Sequence, residues 1–345
     1  MTAGKSFILG YTNEQEGIFE APLPVIIFDD FTTSTKLVNF PFKVKSSAMK
    51  ILKKSEKISA DIRFVFFMMQ KLEINNDTHK RYWLNVVSHI KIPLPPLEIQ
   101  REIVEILESK LEKNKEAKAL LETSLQECET YRLSLLESAF SGNLTPHSQN
   151  WQWVKLGEIC DTSSGGTPSR TQLSYWNGEI KWLKSGELND GLIDNVGETI
   201  TQEGLKHSSA KLLPKGTLLI AMYGATIGRL GILNIETSTN QAICAITPKE
   251  ENMLDTKFLF YFLFASRPKM LQDSFGGAQK NISQAYLKQF SIPLPPLEIQ
   301  REIVEILESK LEKIKEAKAL LETSLQECET YRLSLLESAF AGELV

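Results

Sequence analysis

The sequence predicts an α+β protein in which two mixed α/β segments alternate with two long helices that pair as a coiled coil. Three observations carry this. Residues 92–144 recur at 292–344, and only Asn114/Ile314, Ser141/Ala341 and Asn143/Glu343 differ between the copies. Each copy contains a long run free of Pro and Gly and rich in Glu, Leu, Lys and Ala. The text outside the copies instead alternates short apolar runs with Gly- and Ser-rich loops, the pattern of strands and turns.

The division that follows is a variable segment over 1–91, a first copy over 92–144, a linker over 145–150, a second variable segment over 151–291 and a second copy over 292–345. Each copy opens with IPLPPLE, whose paired prolines impose an extended approach and bar a helix before Leu97 or Leu297. A helix of about 44 residues is expected from Leu97 to Phe140, roughly 66 Å long at 1.5 Å per residue, and Gly142 supplies the stop. Its apolar stripe has period seven: Leu107, Asn114, Leu121, Cys128 and Leu135, flanked by Leu111, Leu125 and Ala139. The second copy repeats the stripe as Leu307, Ile314, Leu321, Cys328 and Leu335. A helix this long with one apolar seam needs a partner, and the other copy is the nearest to hand. Asn114 in that seam either fixes register or stays exposed. Cys128 and Cys328 are read as packing groups.

Within 151–291, WVKLGEIC starts a strand-like run and DTSSGGTPSRTQ is a turn-rich loop. EIKWLKSGEL, KLLPKGTLLIAMYG and QAICAITP are strand candidates, and DTKFLFYFLFASRPKMLQ is a buried helix. Residues 1–91 repeat the later part of this plan: LPVIIFDDF parallels GTLLIAMYG, ADIRFVFFMMQKL parallels DTKFLFYFLFASR, and HKRYWLNVVSHIKI parallels AQKNISQAYLKQFSI. By that matching the first segment lacks about 40–45 residues at its front.

Composition narrows the function classes. The chain has 345 residues and a net charge of −4, with no apolar run of the roughly 18 residues that span a bilayer. The N-terminus has no signal-peptide apolar region. Four cysteines, Cys128, Cys160, Cys244 and Cys328, form no CxxC pair and stand at no zinc spacing from His79, His89, His147 or His207, so a reducing cytoplasm and no metal are expected. Split by segment, residues 1–90 carry +3, residues 151–291 carry +1 and residues 97–144 carry −4. The variable segments are therefore the better surfaces for a polyanion and the helices for protein contact. No motif bears catalytic chemistry. GATIGRLG lacks nucleotide-loop spacing, so Gly224 and Gly228 are assigned to a tight turn; Asp29 and Asp30 lack a third carboxylate and are assigned to a turn or to packing.

At this point the layout resembles the specificity (S) subunits of type I restriction–modification systems. The residues that carry the resemblance are IPLPPLEIQREIVEIL at 92–107 and 292–307, and LLESAF with a glycine just beyond. SSGGTPSRTQLSYWNGEIKWLKSGEL at 163–188, AGKSFILGYTNEQEGIF at 3–19 and PVIIFDDFT at 24–32 carry it as well. The resemblance implies two target-recognition domains separated by two helices packed antiparallel, each domain reading one half of a bipartite, asymmetric site in double-stranded DNA. It implies two methyltransferase subunits docked on the helices and restriction subunits joining for cleavage. It implies no catalysis and no cofactor in this subunit. A spacer of about 66 Å corresponds to at most about 19 base pairs at 3.4 Å per step. The departure from the family pattern is the start, where Met1 falls inside the first recognition domain. A scaffold that docks partners without reading DNA is the alternative, and a second copy of the chain is a further candidate partner.

For DNA contact, polar loop residues with a cation close by are the candidates: Thr167, Ser169 and Arg170; Lys184 and Ser185; His207, Ser208 and Ser209; Tyr223 and Arg229; and Lys280, Asn281 and Ser283. Their counterparts in the first segment are Lys45, Ser46 and Ser47, with His79, Lys80 and Arg81. Arg or Lys bonds a guanine edge and Asn or Gln an adenine edge. Trp83, Trp176 and Trp182 are assigned to packing.

Overall fold

The first variable segment forms β1 (Val25–Asp29), β2 (Thr35–Val38), β3 (Met49–Leu52) and helix α1 (Ile62–Lys71), followed by the long helix α2 (Leu97–Phe140). The computed structural model describes the chain except for residues 4–6, 15, 45–47, 73–80, 145–150, 251, 277–279 and 345. Beyond α2 come β4 (Gln152–Lys155), α3 (Leu156–Ile159), β5 (Cys160–Ser164), β6 (Trp176–Leu183), β7 (Gly191–Ile193), β8 (Glu198–Ile200) and α4 (Gln202–Lys206). The segment continues with β9 (Leu218–Ala221), β10 (Leu230–Leu233), β11 (Ser238–Thr239), β12 (Ile243–Pro248), α5 (Thr256–Ala265), α6 (Arg267–Asp273), α7 (Gln284–Gln289) and β13 (Ser291–Leu294). It ends in the second long helix, α8 (Leu297–Ala341). The α+β class expected from the sequence is the class found.

Both long helices stop as their sequence dictates. Gly142 and Gly342 take left-handed φ values of 86° and 81°. The next amides, of Asn143 and Glu343, bond back to Ser138 O and Ser338 O at 3.1 Å. This is the glycine-closed helix end in which a left-handed residue lets a following N–H cap a free carbonyl.

The chain divides into two compact units, Met1–Leu125 with Ala319–Val345, and Gln126–Lys318. Each therefore contains the N-terminal part of one long helix and the C-terminal part of the other. In the first unit Leu107 and Leu335 share a buried core, and Asn114 Nδ2 donates to Cys328 O at 3.0 Å. Seven residues forward on one helix are seven backward on the other, so the halves run antiparallel. In the second unit Leu307 and Leu135 share a core that also holds Ile314 and the half-buried Cys128. Leu107 and Leu307 are fully buried, each contributing about 1.5–3 kcal/mol. Leu121 and Leu321 are half-buried. Cross-helix ion pairs flank the seam, Lys118 with Glu329 in the first unit and Lys318 with Glu129 in the second.

Each unit mounts a sheet on its helix pair in the same way. In the first, the strand order is β2-β1-β3, all antiparallel. In the second, β12-β9-β10 repeats that plan, extended by β5 on one edge and by β7, parallel to β10, on the other. Central strand β9 is buried on both faces: Leu218 and Ile220 join the core that contains the helix halves, while Leu219 and Ala221 join a core with Leu183, Leu188 and Leu213. The helix after the sheet docks on the repeat through one buried glutamine. Gln300 is fully buried; its Oε1 accepts from the N–H of Asp255 (2.8 Å) and its Nε2 donates to Met253 O (2.9 Å) and Pro295 O (2.8 Å). Gln100 does the same for Asp61 N–H (2.8 Å), Ser59 O (3.3 Å) and Pro95 O (2.7 Å). Asp255 and Asp61 then cap α5 and α1.

Some local readings need correction. WVKLGEIC is not one strand: a helical turn, α3, separates β4 from β5, and DTSS belongs to β5 rather than to a loop, because it pairs with β12 over Cys160–Ser164. The single helix expected over DTKFLFYFLFASRPKMLQ is two, broken at Ser266, where Pro268 enters the first turn of α6.

Candidate functional site

Antiparallel pairing decides which loops meet. Strand β5 ends at Ser164 opposite Cys244, and β9 ends at Ala221 opposite Ile243. The loop after β5, the turn after β9 and the segment before β12 therefore leave the same end of the five-stranded sheet. Glycines make the approach possible. A Cβ on Gly165 would lie 2.5 Å from Asn240 O and closer still to Thr239 O, and one on Gly166 would lie 2.5 Å from the carbonyl carbon of Ser209. The Gly-Gly step threads between two backbones, and this brings the start of the loop that carries Thr167, Ser169 and Arg170 against the backbone of Ser209.

Arg170 is exposed yet held. Its guanidinium stacks 3.7 Å above the Trp176 ring and 5.0 Å from that of Trp182, and Nη1 bonds Glu198 Oε2 at 2.5 Å. Lys184 Nζ takes the other oxygen, Glu198 Oε1, at 2.6 Å. Hydrogen bonds from Arg170 and then Lys184 hold the Glu198 carboxyl below the usual carboxylate range, and the same contact raises Lys184. Ser185 opens the short turn behind Lys184, where the Lys184 N–H donates to Glu187 Oε2 at 2.9 Å. His207 stacks on Tyr175 at 5.6 Å, and Thr167 Oγ1 donates to Gln241. Trp182 is buried, with its indole N–H on Gly166 O.

The carboxylate at Glu198 carries a pH prediction. Its pKa is depressed in the folded protein, so the pairing stabilises above the unfolded Glu value and is lost as pH falls through the folded value. Trp176 fluorescence should change in that acid range before global unfolding, and Glu198→Gln should abolish the change. An unaltered transition in the variant would mean that another group reports there.

A second group sits at the β9–β10 turn. Tyr223 bridges to Asn281, Gly224 N–H donates to Lys280 O at 2.9 Å, and Ile282 N–H to Met222 O at 2.9 Å. Gly224 and Gly228 have φ of 64° and 76°, as the tight turn requires. Arg229 is exposed at its end. Ser283 caps α7 through the N–H of Tyr286, which occupies its hydroxyl. The two groups are joined, because Met222 N–H donates to Ala242 O (2.8 Å), next to the Gln241 that holds Thr167.

In the first unit Arg81 lies with its guanidinium 6.0 Å from the ring of Phe31, at the β1–β2 turn. Asp29 closes that turn by accepting from the N–H groups of Phe31 and Thr32. Asp30 is buried, accepts from Trp83 N–H at 2.7 Å and pairs with Lys50 at 3.4 Å. Lys45, Ser46, Ser47, His79 and Lys80 lie outside the described residues.

Sequence reasoning missed Glu198, which gathers both cations, and Arg267, whose guanidinium bonds Gly228 O (2.8 Å) and Asp190 (3.1 Å from Nη1) and so clamps the β9–β10 turn. Nothing local marks either residue, since Arg267 meets Asp190 across 77 positions of sequence. Chemically the loops offer exposed donors and cations. Burial pushes the thiols of Cys160 and Cys244 up to about 12, leaving them as packing groups. Among the described residues no cluster of His, Cys, Asp and Glu is placed to hold a metal, and no helix is long and apolar enough to cross a membrane.

Residues 25–123 and 148–323 match the type I restriction modification DNA specificity domain family. The specificity subunit of the Escherichia coli type I restriction enzyme EcoR124I/EcoR124II is 36% identical over 324 residues, 89% of this chain and 78% of that protein. The MjaIX specificity subunit of Methanocaldococcus jannaschii is 30% identical over 164 residues, which are 46% of this chain and 37% of that protein. In fold, a chain from a structural study of assembly and conformational transition in the type I R-M system superposes with a TM-score of 0.75 at 22% identity, covering 94% of this chain and 85% of that one. The HsdS subunit of Thermoanaerobacter tengcongensis does so at 0.58 and 23% identity, covering 92% and 81%. A repeated helix that builds half of each of two units, each carrying a sheet with polar loops, and a family match over most of the sequence lead to one conclusion: the chain belongs to the specificity subunits of type I restriction–modification systems.

Proposed function

We propose that this chain is the DNA-specificity subunit of a type I restriction–modification complex, with no catalytic step of its own. Residues 1–91 and 151–291 are the two target-recognition domains, each reading one half of a bipartite duplex site. The repeated helices dock methyltransferase subunits, and restriction subunits join through them. The observation that carries this reading is the doubled plan. Two near-identical helix pairs offer equivalent faces to identical partners, while the sheets they carry differ in loop chemistry, as two different half-sites require. Thr167, Ser169, Arg170, Lys184, Ser185, His207, Ser208, Ser209, Tyr223, Arg229, Lys280, Asn281 and Ser283 are the proposed DNA surface of the second domain. Arg81, with Lys45, Ser46, Ser47, His79 and Lys80, is that of the first.

The test is coexpression with the methyltransferase subunit, followed by modification-sensitive single-molecule sequencing of the host genome. An asymmetric bipartite motif is expected. A palindromic motif would mean that only the 151–291 domain reads, paired with its twin from a second chain. Copurification with no modified motif would leave a docking scaffold and overturn the proposal.

A further inference from the structure

The two units align on a main-chain hydrogen bond rather than on sequence identity. Tyr82 N–H donates to Asp30 O at 3.0 Å in the first unit, and Ile282 N–H donates to Met222 O at 2.9 Å in the second. Asp30 and Met222 each directly follow the central strand, β1 or β9. Phe31 therefore corresponds to Tyr223, and Arg81 to Asn281. Both aromatic residues stand in the turn at the end of that strand and both are exposed, 41% for Phe31 and 38% for Tyr223, although aromatic side chains of this size are normally buried.

Among the described residues, the side chain of the residue beside each aromatic has no hydrogen-bond or ion-pair partner. Asn281 is held through its backbone, bridged to Tyr223 on one side and Phe275 on the other, while its carboxamide bonds no described residue. Among the described residues Arg81 makes no ion pair, and its guanidinium lies 6.0 Å from the centre of the Phe31 ring. Several other candidates are already engaged: Arg170 and Lys184 on Glu198, Thr167 on Gln241, Ser283 on the N-terminus of α7. A base-reading group needs an ordered backbone and a free donor set, and the first of these comes from the scaffold. Guanidinium geometry matches guanine O6 and N7, while a carboxamide matches adenine N7 and N6.

We infer that Arg81 and Asn281 are equivalent base-reading residues of the two units, Arg81 selecting a guanine in one half-site and Asn281 an adenine in the other, each next to an aromatic flank, Phe31 or Tyr223. The inference rests on the specificity-subunit reading above and adds the side chain and the base. It also accounts for how one scaffold reads two different half-sites, since the position is shared and its chemistry is not.

The experiment uses the full chain coexpressed with its methyltransferase subunit and reads the modified motif by sequencing. Arg81→Gln should lower the preference for one guanine about ten- to hundredfold in one half-site and leave the other half unchanged. Asn281→Ser should do the same to one adenine in the other half only. Arg81→Lys, which keeps the charge, should retain a weakened guanine preference and covers the case in which the glutamine variant fails to fold. An unchanged motif in these variants overturns the assignment, as does erosion of both halves together or loss of a base other than guanine for Arg81 and adenine for Asn281. A palindromic wild-type motif overturns it for Arg81. A wild type that modifies no motif overturns the specificity-subunit reading itself, and the assignment with it.

Discussion

Replacing Gln300 with leucine is expected to destabilise the second unit by about 3–6 kcal/mol, because one fully buried side chain serves three main-chain groups. Leucine fills similar volume but leaves the N–H of Asp255 and the carbonyls of Met253 and Pro295 without the bonds that Gln300 supplies. A buried polar group left unsatisfied costs about 1–3 kcal/mol, the upper end applying to the buried Pro295 bond and the lower end to the part-buried bonds of Asp255 and Met253, and leucine offers nothing in return to any of the three. The N–H lost belongs to the residue that caps α5, so the docking of that helix on the repeat loosens with it. Gln100→Leu should act on the first unit in the same way through Asp61, Ser59 and Pro95. Urea denaturation followed by circular dichroism checks this; a midpoint within error of wild type in both variants would show that the glutamines are not the pins described.

The second large effect is expected at Gly165. Alanine there pushes a methyl group into Asn240 O at 2.5 Å and into Thr239 O more closely, and both obstacles are backbone that has no rotamer to change. Overpacking of this kind costs about 1–3 kcal/mol, and here the relief route is displacement of the loop that carries Thr167, Ser169 and Arg170. On the proposed function, the variant should therefore lose the half of the DNA motif assigned to the second domain while still copurifying with methyltransferase. Gly186→Ala is the control, since a Cβ there meets nothing within 4 Å. Equal motifs from both variants would show that the Gly-Gly step does not position the reading loop.

The long helices were legible because everything that defines them is local. Paired prolines exclude α2 and α8 ahead of Leu97 and Leu297, an uninterrupted run of helix formers carries them, and a glycine free to adopt positive φ closes them. The apolar strand candidates were legible for the same reason, and β6, β9 and β12 fall within the runs named or overlap them. Short strands such as β7, β8 and β11 carry two or three residues each, too few to show a period, and they exist because a neighbouring strand supplies their hydrogen bonds.

The candidate site divides along the same line. Polar loops with cations in them could be listed from the sequence, but which cations are engaged could not. Arg170 and Glu198 are 28 positions apart, Thr167 and Gln241 are 74, and only folding brings them together. Nor did the repeated glutamine announce itself, because a polar residue in the first turn of an amphipathic helix reads as surface until the chain that covers it is known. By itself the sequence determined the doubled layout, the two helices and the family, since these rest on periodicity, breakers and repetition within one stretch of chain. Only the tertiary structure decided that each unit joins opposite ends of the two helices, that Gln100 and Gln300 are buried, and that Arg81 and Asn281 each stand beside an exposed aromatic residue in the turn after the central strand. Those facts depend on antiparallel pairing and on main-chain hydrogen bonds between distant segments, which leave no local trace in the order of residues.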